Sequence, residues 1–148
     1  MKQLGFTALL LAAIGLSACQ SDLDGEIWPL VENCDLHQQT CQAEQGAATV
    51  SLNITPQPIP IAKPLQINAV LKGLTAEKLE LDISGINMYM GYNRVQLHAD
   101  SEQTGHYKGS SMLAFCTNEV MQWQLTLLAH QADGSVIQIP FKLETRNR

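Results

Sequence analysis

An all-β fold of about seven antiparallel strands, stacked as a sandwich, is what this 148-residue chain predicts. Two observations lead there. From residue 48 onward, seven short segments alternate apolar and polar residues, the period of a strand with one face in a core. Turn-forming residues separate them, and no stretch sustains the 3.6-residue period of an amphipathic helix. Strands at this spacing fit a two-layer antiparallel sandwich.

The segments are justified one by one. Thr49 to Thr55 places Val50, Leu52 and Ile54 on one face, and Pro56, Pro58 and Pro60 stop it, because proline cannot donate to a ladder. Leu65 to Leu71 repeats the alternation and ends at Lys72-Gly73. Thr75-Ala76-Glu77 has room for one helical turn at most, and Lys78 to Ser84 then turns Leu79, Leu81 and Ile83 inward. Met88 to His98 reads as one long strand that changes phase. Met88 and Met90 share one parity, Val95 and Leu97 the other, with Gly91 and Asn93 supplying a bulge or turn between them. His106 to Ala114 follows Thr104-Gly105, and Val120 to His130 points Met121, Trp123, Leu125 and Leu127 inward. After the turn signal Ala132-Asp133-Gly134-Ser135, Ile137, Ile139, Phe141 and Leu143 form the last strand. Pro140 within it predicts a sheet edge.

The N-terminal region has a different character. Met1-Lys2 is a positive start, and Gly5 to Leu16 is an apolar run of signal-peptide length, too short to span a bilayer. It ends in Leu16-Ser17-Ala18-Cys19, which resembles the bacterial lipoprotein lipobox at all four positions. The thiol of Cys19 is the nucleophile that would take the diacylglyceryl thioether, and acyl chains there would anchor the protein in a lipid membrane without a transmembrane helix. By resemblance to Gram-negative lipoproteins, Gln20 after the cysteine implies sorting to the outer membrane, facing the periplasm. The expected organisation is a lipoprotein signal peptide over 1–18, lipidated Cys19 and a tether over 19–47, and a sandwich domain over 48–148. Within the tether, Ile27-Trp28-Pro29-Leu30-Val31 is an apolar patch expected to dock on the domain.

Cys34-Asp35-Leu36-His37-Gln38-Gln39-Thr40-Cys41 follows. An oxidising envelope makes a Cys34–Cys41 disulfide the default, worth about 2.5 kcal/mol by loop closure. A Cys34/His37/Cys41 metal site is the alternative, although its spacing matches no common zinc pattern. With Cys19 acylated, three cysteines remain, so one is left over: Cys116 if Cys34 pairs with Cys41, or an arm cysteine if Cys116 staples the arm to the sandwich.

Gly85-Ile86-Asn87-Met88-Tyr89-Met90-Gly91, Gly105-His106-Tyr107-Lys108-Gly109 and Met121-Gln122-Trp123 resemble the small immunoglobulin-like envelope domains of the YtkA/FixH type over residues 48–144. The resemblance implies a seven-stranded immunoglobulin-like sandwich and raises copper handling and cytochrome oxidase maturation as settings.

The residues themselves point to the same metal. Thioether and thiolate sulfur select Cu(I), and Met88, Met90, Cys116 and Met121 fall within one short window. On a strand, Met88 and Met90 would share a face roughly 6.6–6.8 Å apart. Against this, methionine is also a flexible core filler, and the parity of Met121 with Trp123 and Leu125 makes it, with Met112, a core candidate. His98 and His130 end strands and read as surface residues. A blue-copper site is excluded because the run from Cys116 to Met121 contains no histidine.

Other classes are excluded by what the chain lacks. Net charge is -5 with scattered basic residues, so no stripe follows a phosphate backbone and nucleic-acid binding is not expected. No nucleophile-elbow, phosphate-loop, His-Glu-x-x-His or Cys-x-x-Cys motif is present, and Glu80 with Asp82 reads as a solvated strand face; the protein is not expected to be an enzyme. The expected function is an envelope lipoprotein that binds or passes copper. The alternative is a non-catalytic outer-membrane lipoprotein that presents an apolar patch near Trp28 or Tyr92 to an envelope protein partner. Thiol redox work by Cys34, Cys41 and Cys116 is the third reading, and it requires an exposed low-pKa thiolate.

Overall fold

The computed structural model describes residues 25–147, so the signal peptide and Cys19 lie outside the described residues. Eight strands run in chain order: β1 (Cys41–Gln45), β2 (Ala48–Thr55), β3 (Leu65–Lys72), β4 (Lys78–Gly85), β5 (Arg94–Ala99), β6 (His106–Ser111), β7 (Val120–His130) and β8 (Val136–Arg146). They form one antiparallel sheet in the order β1-β2-β3-β6-β5-β4-β7-β8. β5 is the corner. Its residues Arg94 to Leu97 pair with β4, whereas His98 and Ala99 pair with β6. The sheet thereby folds into two layers around one core, the all-β, sandwich-like arrangement that the alternation predicts.

The core follows the period-2 pattern. Val50, Leu52 and Ile54 of β2 and Ile67 and Ala69 of β3 are buried together with Leu79, Leu81 and Ile83 of β4, Leu125 and Leu127 of β7, and Ile139 and Phe141 of β8. Burying each of the large side chains contributes about 1.5–3 kcal/mol. Trp123 is the largest, and its indole N–H donates to the buried Thr145 hydroxyl at 2.9 Å, which satisfies both groups away from water. The expected turn closes β7 onto β8: Gly134 adopts φ 88°, and the Asp133 carboxylate accepts from the Ser135 amide and hydroxyl.

Two strand assignments differ from expectation. The strand count is eight, because Cys41 to Gln45 pairs with β2 as an edge hairpin. The boundary expected at residue 48 therefore falls inside a hairpin. Second, Met88 to His98 is not one strand. Only Arg94 onward is extended and paired, and Gly91, at φ 78°, turns the chain before it. Such a φ is readily adopted only by glycine.

The arm docks as expected, and it does so through the main chain. Glu26, Trp28 and Val31 exchange hydrogen bonds of 2.8–2.9 Å with Gln138, Pro140 and Lys142 along the free edge of β8, in parallel orientation. Pro140 takes part with its carbonyl alone, accepting from the Val31 amide. Its ring nitrogen faces the arm rather than β7, so the missing N–H breaks no ladder bond. Trp28 and Leu36 enter the core.

Cys34 and Cys41 form the disulfide, with Cα atoms 5.7 Å apart. His37 serves the same fastening. Its Nε2 contacts the Glu144 carbonyl at 2.7 Å, and its Nδ1 accepts from the Ile59 amide at 3.0 Å. The second contact requires an unprotonated Nδ1, so Nε2 carries the proton. No ring nitrogen is free, which removes the Cys34/His37/Cys41 alternative.

Candidate functional site

The end of the sandwich where β4 runs out and β7 begins gathers the sulfur residues. Gly85 is the last residue of β4 and faces Trp123 of β7. A methyl group on Gly85 would run into the Met88 carbonyl, and it would lie 2.9 Å from Met90 Cγ and 3.3 Å from Met121 Cε. The absence of a side chain is therefore what lets the chain after β4 fold back over the sheet end, with Met90 and Met121 meeting above one glycine.

The fold-back is held by a side chain acting as main chain. The Ile86 amide donates to the Gln122 carbonyl at 2.8 Å. Asn87 then continues the ladder with its carboxamide: Nδ2 donates to the Val120 carbonyl at 2.9 Å, and Oδ1 accepts from the Gln122 amide at 3.0 Å. These two partners flank Met121, which is fully buried. Met88 and Met90, on the loop above, are half-buried.

The second loop, residues 112–119 after β6, brings Cys116. This thiol is buried and is the free cysteine among the described residues. Its Sγ lies 3.1 Å from Met88 Sδ, with the thiol donating toward the thioether. The Asn118 amide donates to Cys116 Sγ at 3.4 Å, and the Asn118 side chain reaches Met121 Sδ at 3.9 Å.

All four sulfur residues expected at a site are thus neighbours at one end of the molecule. The route differs from the expected one, because Met88 and Met90 converge from a loop that folds over Gly85 and not from one face of a strand. Met112, expected in the core, is instead half exposed on the second loop. His98 is exposed, whereas His130 is half-buried and bonded to Glu80 at 2.7 Å, so it is not a plain surface residue. Sequence reasoning missed Asn87 and Asn147, whose side chains hold main chain in place, and Asn118, which contacts the sulfurs of Cys116 and Met121.

Apolar side chains crowd the same end. Of the seven exposed large hydrophobic residues among those described, five (Ile86, Tyr89, Tyr92, Met112 and Phe115) sit on these two loops. Tyr89 is 88% exposed and Tyr92 76%, the latter under the Arg94 guanidinium at 5.1 Å. This concentration makes the end of the sandwich an apolar rim around the sulfur cluster.

Carboxylates offer no competing centre. Burial pushes the Glu80 carboxyl up, but hydrogen bonds from Lys78 and His130 outweigh it and leave the group below the ordinary carboxylate range. Asp82 bonds to Arg94 and Ser84. Each acid thus has its own partners, as suits a strand face. Among the described residues no three His, Cys, Asp or Glu side chains converge on a point that would hold an ion. A groove of about 1190 Å³ runs between the arm and the end of β8, past His37, Lys63, Phe115 and Lys142, and its one histidine is already spent on backbone contacts. Neither protein-family models nor curated protein sequences match this chain.

Proposed function

We propose that this protein is a lipid-anchored envelope protein that binds or passes Cu(I), held by Cys116 and Met88 with Met90 and Met121 beside them. The observation that carries the reading is the 3.1 Å contact between Cys116 Sγ and Met88 Sδ, with Met90 and Met121 meeting over Gly85 beside it. One thiolate with thioethers is a soft donor set. It favours Cu(I) over Zn(II), which prefers more thiolate or imidazole, and over hard ions that take oxygen. Cys116 would give up its thiol proton on binding, so loading releases protons. Half-buried Met88 and Met90 lie on the accessible side, where an incoming ion would arrive, while fully buried Met121 forms the floor. The lipobox at Leu16 to Cys19 supports delivery to the envelope, and the YtkA/FixH-like motifs support a setting in copper homeostasis or oxidase maturation.

The second reading, a non-catalytic interaction lipoprotein, is favoured by the exposed rim of Tyr89, Tyr92 and Phe115. One experiment separates the two. Cu(I) is titrated against a competing chelator into the full chain in mild detergent, for the parent and for Met88→Ala/Met90→Ala. Tight binding by the parent and its loss in the variant is the expected result. Equal binding by both would move any ion to Cys116 alone, and no binding by either would leave the interaction reading.

A further inference from the structure

We infer that Asn147 is the positioning residue that holds Cys116 in the sulfur cluster, an inference that rests on the copper reading for its function but not for its geometry. The loop after β6 has little regular structure to fix it. Between Cys116 and Val120, only the last residue belongs to a strand, and Thr117 and Glu119 are exposed. Beyond the burial of Cys116, a segment of this kind is held by whatever satisfies its main-chain groups.

One residue supplies most of that. Asn147 follows β8 directly and donates three hydrogen bonds into the loop. Its amide reaches the Glu119 carbonyl at 2.9 Å, and its side-chain Nδ2 reaches the Asn118 carbonyl at 2.6 Å and the Cys116 carbonyl. Asn87 takes the next carbonyl, that of Val120. Cys116 is therefore pinned from two sides, with its carbonyl on Asn147 and its sulfur against Met88 and the Asn118 amide.

The orientation of the carboxamide is forced, since reversing it would set an oxygen against two carbonyl oxygens. This leaves Oδ1 buried without a partner among the described residues. An unpaired buried acceptor is destabilising, so the arrangement costs stability at the one place where it fixes a metal-ligand loop. An apolar side chain would avoid the orphan oxygen but lose both donors, and a hydroxyl has only one donor to give.

The test uses the full chain in mild detergent and the near-isosteric Asn147→Asp, which keeps the shape and removes the two donors. Asn147→Ala removes them without adding a charge, and covers the case in which the carboxylate disrupts the end of β8. Two readings are taken. The rate at which a thiol reagent modifies Cys116, measured without metal, should rise roughly tenfold as the loop opens more often. Cu(I) affinity and the near-ultraviolet thiolate-to-copper absorption should fall, the affinity by about 10–100-fold, the usual effect of removing a group that orients a ligand. Thermal unfolding should stay close to that of the parent. Unchanged thiol reactivity in both variants overturns the role of Asn147, whether or not copper binds. A parent that binds no Cu(I) while the variants still unmask Cys116 overturns the copper reading and leaves the positioning role standing.

Discussion

Gly85→Ala separates the loop's fold-back from the strand's own preference. Gly85 ends β4 with an ordinary strand conformation and pairs with Trp123. In open space, alanine there would stabilise the strand by about 0.5–1 kcal/mol, because glycine loses more freedom on folding. The space is not open. The added methyl meets the Met88 carbonyl, Met90 Cγ at 2.9 Å and Met121 Cε at 3.3 Å. The side-chain atoms can yield, but the carbonyl is main chain, so the loop must lift. Overpacking of this kind costs about 1–3 kcal/mol, which leaves a net loss of roughly 0–2.5 kcal/mol after the strand's gain. A domain of this size then melts a few degrees lower, on the order of 2–8 °C for each kcal/mol. Because the lift carries Met88 away from Cys116, thiol reactivity should rise and Cu(I) affinity should fall with it. Circular dichroism melts and the same chelator competition read both effects. An alanine variant at least as stable as the parent, with unchanged copper affinity, would refute the fold-back as described.

Two further outcomes are expected. Replacing both Cys34 and Cys41 by serine should cost about 2–3 kcal/mol in non-reducing urea unfolding; no shift would mean that the His37 and β8 contacts alone fasten the arm. Glu80→Gln should cost up to about 1 kcal/mol at neutral pH, where Lys78 and His130 hold the carboxylate. Because the folded-state value lies below the ordinary carboxyl value of about 4.5, that contribution is present above the ordinary value and fades as pH falls through the lower folded one. The gap between parent and variant in urea midpoint should therefore close in acid, and a gap that stays constant from pH 7 to pH 3 would contradict it.

Where alternation was strong, the sequence was readable. Met121, Trp123, Leu125 and Leu127 are buried as their parity requires, and Pro140 marks the edge strand it was expected to mark. β1 escaped notice because an edge strand of composition Cys-Gln-Ala-Glu-Gln buries only Cys41 and Ala43, too few apolar residues to set a period. The parity of Met88 and Met90 misled for the opposite reason. Both are half-buried, but in a loop packed over a glycine, and burial alone does not distinguish that from a strand. The clustering of sulfur was legible from the residues' proximity in sequence. Its supports were not, since Asn87 and Asn147 act through side-chain bonds to distant main chain, which leave no periodic trace.

The strip of arm along β8 also determines how the molecule carries load. The described chain begins at Gly25, packed against Val136 at the start of β8, while the sulfur cluster lies beyond the other end of that strand, about 33 Å away at the usual rise per residue. Tension on the chain ahead of Gly25 that draws it away from the cluster runs along the arm, and the four bonds to Gln138, Pro140 and Lys142 lie across it. They are strained together, in shear, rather than peeled one at a time, and the Cys34–Cys41 loop backs them at the far end. A pull at the Gly25 pole is thus absorbed by one strand edge before it reaches the loops that hold Met88 and Cys116.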